Sequence, residues 1–130
     1  MNKKTAILLV DDDTDFLFQH KYELEQEGYD VTLAGTRKEA QELLKELKPD
    51  VAIVDLMMEN NDSGFVLSYD IKRKYPDVPV IMVTAVTNRT GMEFSSITED
   101  EKHWIKADTI FTKPVRTEQL VKEIKKLLRK

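Results

Sequence analysis

The sequence contains no cysteine. Disulfides, zinc–thiolate sites, iron–sulfur clusters and cysteine nucleophiles are thereby excluded, and the absence suits a reducing compartment. No apolar run approaches the roughly 18 residues of a membrane-spanning helix. The apolar stretch at 6–10 is too short for a secretory signal core and runs directly into acid. A cytoplasmic protein without a membrane segment is expected. An excess of positive charge is missing too: 24 acidic against 20 basic residues leave a net charge of −4, which gives no general attraction to nucleic acid or anionic membrane. Glycine and proline are sparse, four of each, and there is no internal repeat or low-complexity segment.

What is present is enough apolar residue, 41% of 130, for one domain with a sizeable core. Five short apolar runs stand out, at 6–10, 29–34, 51–56, 78–85 and 109–112. Three are continuous rather than alternating, as strands covered on both faces should be. Segments with helical spacing lie between them. Ala40, Leu43, Leu44 and Leu47 follow i, i+3, i+4, i+7, with Thr36 and Glu39 forming a T-x-x-E capping box at the start. Leu120, Val121, Ile124, Leu127 and Leu128 give the last segment the same stripe. The 85–108 stretch has weak periodicity; a second T-x-x-E box, Thr98 to Glu101, predicts a helix over about 99–106, preceded by loop at 86–97. The alternation of strands and helices implies an α/β fold: a doubly wound parallel sheet with helices on both faces.

Ligands of such sheets collect at the carboxyl ends of the strands. The first run is followed by Asp11 and Asp12; Asp55 closes the third, Thr84 the fourth, and Lys113-Pro114 the fifth. Neighbouring carboxylates repel by about 3–4 kcal/mol at 4–6 Å and an effective dielectric near 20, so something must offset that repulsion. Three carboxylates and a hydroxyl make a hard, oxygen-rich site that favours Mg²⁺ or Mn²⁺. A lysine on the same rim would complement an anion on the metal, most naturally a phosphoryl group. Asp55 stands alone at its strand end and is the best candidate nucleophile; Thr84 would donate to one phosphoryl oxygen and Lys113 would pair with another. Asp13 and Asp15 are expected to favour the start of the first helix, where negative charge meets the helix dipole.

These pieces together, "ILLVDDD" (7–13), "PDVAIVDLMM" (49–58), "DSGFVL" (62–67), "PVIMVTA" (79–85) and "FTKPV" (111–115), resemble the receiver domain of two-component response regulators across essentially the whole chain. The resemblance implies a five-stranded flavodoxin-like sheet of order 2-1-3-4-5. It implies that a sensor histidine kinase or histidine phosphotransfer protein donates a phosphoryl group to Asp55 with Mg²⁺ or Mn²⁺ as cofactor. Asp12 would bind the metal directly, Asp11 largely through water, and the Met57 carbonyl would supply another ligand. Thr84 and Lys113 would act as conformational sensors, with a cis Lys113-Pro114 bond. By the same resemblance Met57 and Val86, both apolar, predict slow self-dephosphorylation.

Three departures from the family pattern fall near the reporting surface. Ile110 replaces the usual aromatic, Glu59 stands where proline is common in an extended loop, and the path from Thr84 to Lys113 is long. Signalling through rearrangement of 85–108 is the corresponding expectation. The chain is expected to be one receiver unit over 1–130 with no output domain, a phosphoacceptor rather than an enzyme. A phosphorylation-dependent dimer through the last strand and last two helices is also expected.

Two other functions compete. A haloacid dehalogenase-like phosphatase would use Asp11-x-Asp13, but its motif needs Thr or Val where Asp15 stands. A phosphorylation-independent interaction module on the same fold would have no use for the complete acid set. His20 and His103 lack metal-ligand spacing and are expected on the helix surface. Trp104 is expected to pack on the sheet, and the basic residues of 113–130 to form a solvated face.

Overall fold

In a computed structural model, residues 4–55, 63–85 and 107–128 are described. The chain runs β1 (Ala6–Val10), α1 (Thr14–Gln26), β2 (Asp30–Ala34), α2 (Arg37–Leu44), β3 (Val51–Asp55), α3 (Ser63–Lys74), β4 (Val80–Ala85), β5 (Thr109–Lys113) and α4 (Thr117–Leu128). The strands form one parallel sheet of order β2-β1-β3-β4-β5, the expected topology. The first strand matches its sequence boundaries residue for residue, and the others differ by one or two residues. The helix expected at 99–106, the loop at 86–97, Trp104, His103 and the segment after Asp55 lie outside the described residues.

Side chains alternate across a strand, so each continuous apolar run feeds two cores. Ile7, Leu9, Ile53, Ile81 and Val83 pack with Leu17 and Leu24 of α1 and with Leu120 and Ile124 of α4. Leu8, Val10, Ala52, Val54 and Val80 pack with Ala40 and Leu44 of α2 and with Leu67 and Ile71 of α3. Each fully buried Leu or Ile contributes about 1.5–3 kcal/mol. A slip of one residue would exchange the two faces of a strand, so this double coverage fixes the register.

The helix ends are fastened by the residues that the sequence offered for them. Asp13 caps α1, its Oδ1 accepting from the N–H groups of Asp15 at 3.0 Å and Phe16 at 3.3 Å. Thr36 Oγ1 accepts from Glu39 N at 3.1 Å, and Glu39 Oε1 accepts in return from Gly35 N at 2.9 Å. Gly28, at φ +97°, lets the chain leave α1 through the left-handed region. In α4, Lys122, Lys125 and Lys126 face solvent as expected, but Leu128 is exposed in the last turn rather than part of the buried stripe.

His20 corrects the sequence reading. It is buried, with only 5% exposure, on the stripe formed with Leu17 and Leu24. Its ring stacks on Phe16 with centroids 4.1 Å apart. Spacing of i, i+3, i+7 with two leucines was the available signal; the absence of metal-ligand spacing said nothing about burial.

Candidate functional site

Asp11 continues β1 by one step, its N–H donating to Ala34 O at 3.1 Å, so its side chain is carried to the sheet's carboxyl edge. It is completely buried. Oδ1 accepts from Asp13 N at 2.9 Å, which leaves Oδ2 facing inward. Lys113 Nζ lies 2.8 Å from Oδ2, an ion-pair approach that is misaligned for a hydrogen bond, so Oδ2 is a buried oxygen with no hydrogen-bond donor among the described residues. Native structures seldom leave such an atom without a partner or a ligand.

Asp55 ends β3 and is also buried, with Oδ2 3.9 Å from Lys113 Nζ. Asp12 is exposed beside Asp11. Carboxylate oxygens of Asp11, Asp12 and Asp55 all lie within 4.8 Å of one another. Two oxygens on opposite sides of a small divalent ion stand about 4–5 Å apart, so this cluster is of the right span and donor type to hold one. Among the described residues, Lys113 pairs with Asp11 and approaches Asp55, and a divalent cation would further offset the mutual repulsion of the three carboxylates.

Lys113 closes β5 and is mostly buried; its Nζ sits 4.5 Å from the centre of the Phe16 ring, which attracts the cation through its negative face. The bond to Pro114 is cis. Thr84, also buried, follows Val83, the register partner of Asp55, and pairs with Thr112. Register thus brings Thr84 to the same edge as Asp55 and Lys113. Ile110 stands opposite Met82 and is half-buried. Met57, expected to offer its carbonyl, and Val86 lie outside the described residues.

The sequence reading missed Phe16, because its contact with Lys113 depends on where β5 ends relative to α1. It also missed Asp50 and Asp108 at the opposite edge. The phosphatase alternative loses its second acid, since Asp13 is engaged as the cap of α1. Among the described residues no helix is long and apolar enough to cross a membrane.

Known proteins are similar to this chain in sequence pattern and fold. The family model for the response regulator receiver domain matches residues 7–125. Among solved structures, a receiver domain protein from Methanospirillum hungatei JF-1 is 28% identical, with a TM-score of 0.80 over 97% of this chain and 94% of that one. A Francisella response regulator receiver domain is 27% identical, with a TM-score of 0.78 over 97% and 98%. A two-component response regulator from Clostridium difficile is 25% identical, with a TM-score of 0.82 over 98% of both chains. With sheet order, acidic edge and family match in agreement over nearly the whole chain, this protein belongs to the response regulator receiver domain family, whose members are signalling modules rather than enzymes.

Proposed function

We propose that the chain, acting as one receiver unit, accepts a phosphoryl group on Asp55 from the phosphohistidine of a sensor kinase or phosphotransfer protein, and that the modification switches its partner interactions. The observation that carries this reading is the convergence of three carboxylates and one ammonium on a single edge. An Asp55 oxygen attacks phosphorus, the P–N bond breaks, and the imidazole of the donor leaves with the electron pair and takes up a proton. Asp55 then carries a mixed anhydride. Asp11, Asp12 and Asp55, with the Met57 carbonyl, would hold Mg²⁺ or Mn²⁺. The bound ion supplies charge neutralisation for the incoming phosphoryl oxygens. Lys113 faces both buried carboxylates and can turn toward a phosphoryl oxygen, while Thr84 offers a hydroxyl to another. Partner exchange follows from the changed position of these two side chains.

Treatment with acetyl phosphate and Mg²⁺, followed by mass spectrometric mapping, tests the assignment. Label is expected on Asp55 in the wild type and lost in Asp55→Asn. Label on Asp11 with continued turnover would instead support a phosphatase, and failure to bind Mg²⁺ would support a phosphorylation-independent module.

A further inference from the structure

The His20 ring is anchored at both nitrogens. Nδ1 lies 3.0 Å from Phe16 O in its own helix, and Nε2 lies 3.1 Å from Val115 O, two residues beyond Lys113. Both partners are carbonyls, which only accept. A neutral imidazole has one N–H and can satisfy one of them, whereas an imidazolium donates to both. The ring also stacks on Phe16 at an interplanar angle of 30°, and Phe16 is the ring over which Lys113 Nζ sits. Two routes therefore lead from one buried histidine to one lysine: through the backbone of the β5–α4 connection, and through the aromatic stack on α1.

We propose that His20, as its imidazolium, is a positioning residue for Lys113, clamping the Lys113-Pro114-Val115 segment against α1 so that Nζ stays between Asp11 and Asp55. The inference rests on the reading of Lys113 as the phosphoryl partner. A neutral ring forfeits one of the two bonds: the tie to Val115 when the N–H is on Nδ1, or the ring's own anchor on Phe16 O when it is on Nε2. Charged groups from each element packed there line the same groove as His20. Glu23 lies on α1 and Glu27 just past its end, Arg116 belongs to the β5–α4 connection, and Glu118, Lys122 and Lys125 to α4, while Lys113 ends β5. Glu23 is engaged by the Thr117 hydroxyl, a further tie between α1 and α4.

Nuclear magnetic resonance on the full chain, from about pH 5 to about pH 9, tests the clamp without requiring phosphorylation. Both ring nitrogens of His20 are expected to carry protons at the acid end. The Lys113 Hε protons and the Val115 carbonyl should move with the same midpoint as the ring. In His20→Phe, which keeps a stacking ring and loses both donors, the Lys113 resonances should lie away from their acid-end wild-type positions at every pH. His20→Gln restores one donor and should recover part of the difference. Labelling of Asp55 by acetyl phosphate at saturating Mg²⁺ should slow about 10-fold in His20→Phe with Mg²⁺ affinity unchanged. A ring that stays neutral in one tautomer throughout would overturn the proposal, as would Lys113 resonances indifferent to both the ring's protonation and its replacement. If wild-type Asp55 takes no label, the phosphoacceptor reading fails, while the resonance measurements still decide the clamp.

Discussion

At the amino edge of the sheet, Asp50 Oδ2 accepts from Ala6 N at 2.7 Å and Asp108 Oδ2 accepts from Val80 N at 2.8 Å, with Lys72 Nζ 2.7 Å from the same Asp108 oxygen. Each of these aspartates has its own donor and starts a neighbouring strand. At the carboxyl edge oxygens of Asp11, Asp12 and Asp55 gather within 4.8 Å of one another, and Lys113 lies beside Asp11 and Asp55. Residue type and sheet are the same at both edges; what differs is how closely the carboxylates gather. One edge uses its carboxylates to complete the backbone ladder; at the other, two buried aspartates and an exposed one gather around a lysine. The second arrangement is costly unless a ligand completes it, which is why it marks a site.

The largest expected effect separates the edges by metal affinity. Asp11→Ala should weaken Mg²⁺ binding at least as much as loss of a metal ligand's hydrogen-bonded support does, about 10–100-fold, and Asp50→Ala should leave it unchanged. Isothermal titration calorimetry reads both. Equal weakening by the two substitutions would dissolve the distinction between the edges.

Stability without metal should move in opposite directions. Asp108→Ala leaves the Val80 N–H and the Lys72 ammonium without their carboxylate, and should lower unfolding free energy by about 1–3 kcal/mol. Asp55→Asn removes one of two buried negative charges competing for Lys113, and should raise it by about 1 kcal/mol. Urea unfolding in a chelator resolves the pair. Added Mg²⁺ should then stabilise the wild type more than Asp55→Asn. A loss of stability in both variants would mean that the carboxyl edge is as fully paired as the amino edge.

The contrast also explains which features were legible before any coordinates. Strand identity showed in continuous apolar runs, because both sheet faces are covered. The convergence of Asp11, Asp12, Asp55, Thr84 and Lys113 followed from one rule about parallel sheets. Caps were readable because Asp13, Thr36 and Glu39 act on backbone within a few residues. Asp50 and Asp108 were not readable as strand anchors: each bonds a residue 44 or 28 positions away. Phe16 and His20 depend on where the β5–α4 connection comes to rest on α1. Local pattern carries no information about that distance of 95 residues between His20 and Val115.

Tyr29 provides the smallest test, and it probes the amino edge by a group other than a carboxylate. It precedes β2 and packs in the α1–α4 core. Burial of the phenol, and secondarily the negative charge of Glu27, hold its pKa above the ordinary value of 10.0. The raised value means that the fold favours the neutral phenol. Its contribution is therefore complete below the ordinary value and is lost as pH rises through the folded one. Tyrosyl absorbance should show a component at the alkaline end of the titration that Tyr29→Phe removes. Glu27→Gln should shift that component only slightly toward lower pH, because burial is the larger cause. Unfolding free energy should decline with alkaline pH less steeply in Tyr29→Phe than in the wild type. Mg²⁺ should leave the Tyr29 component where it is, since the cation belongs to the opposite edge; displacement of the phenol titration by Mg²⁺ would show that the two edges are coupled through the strands between them.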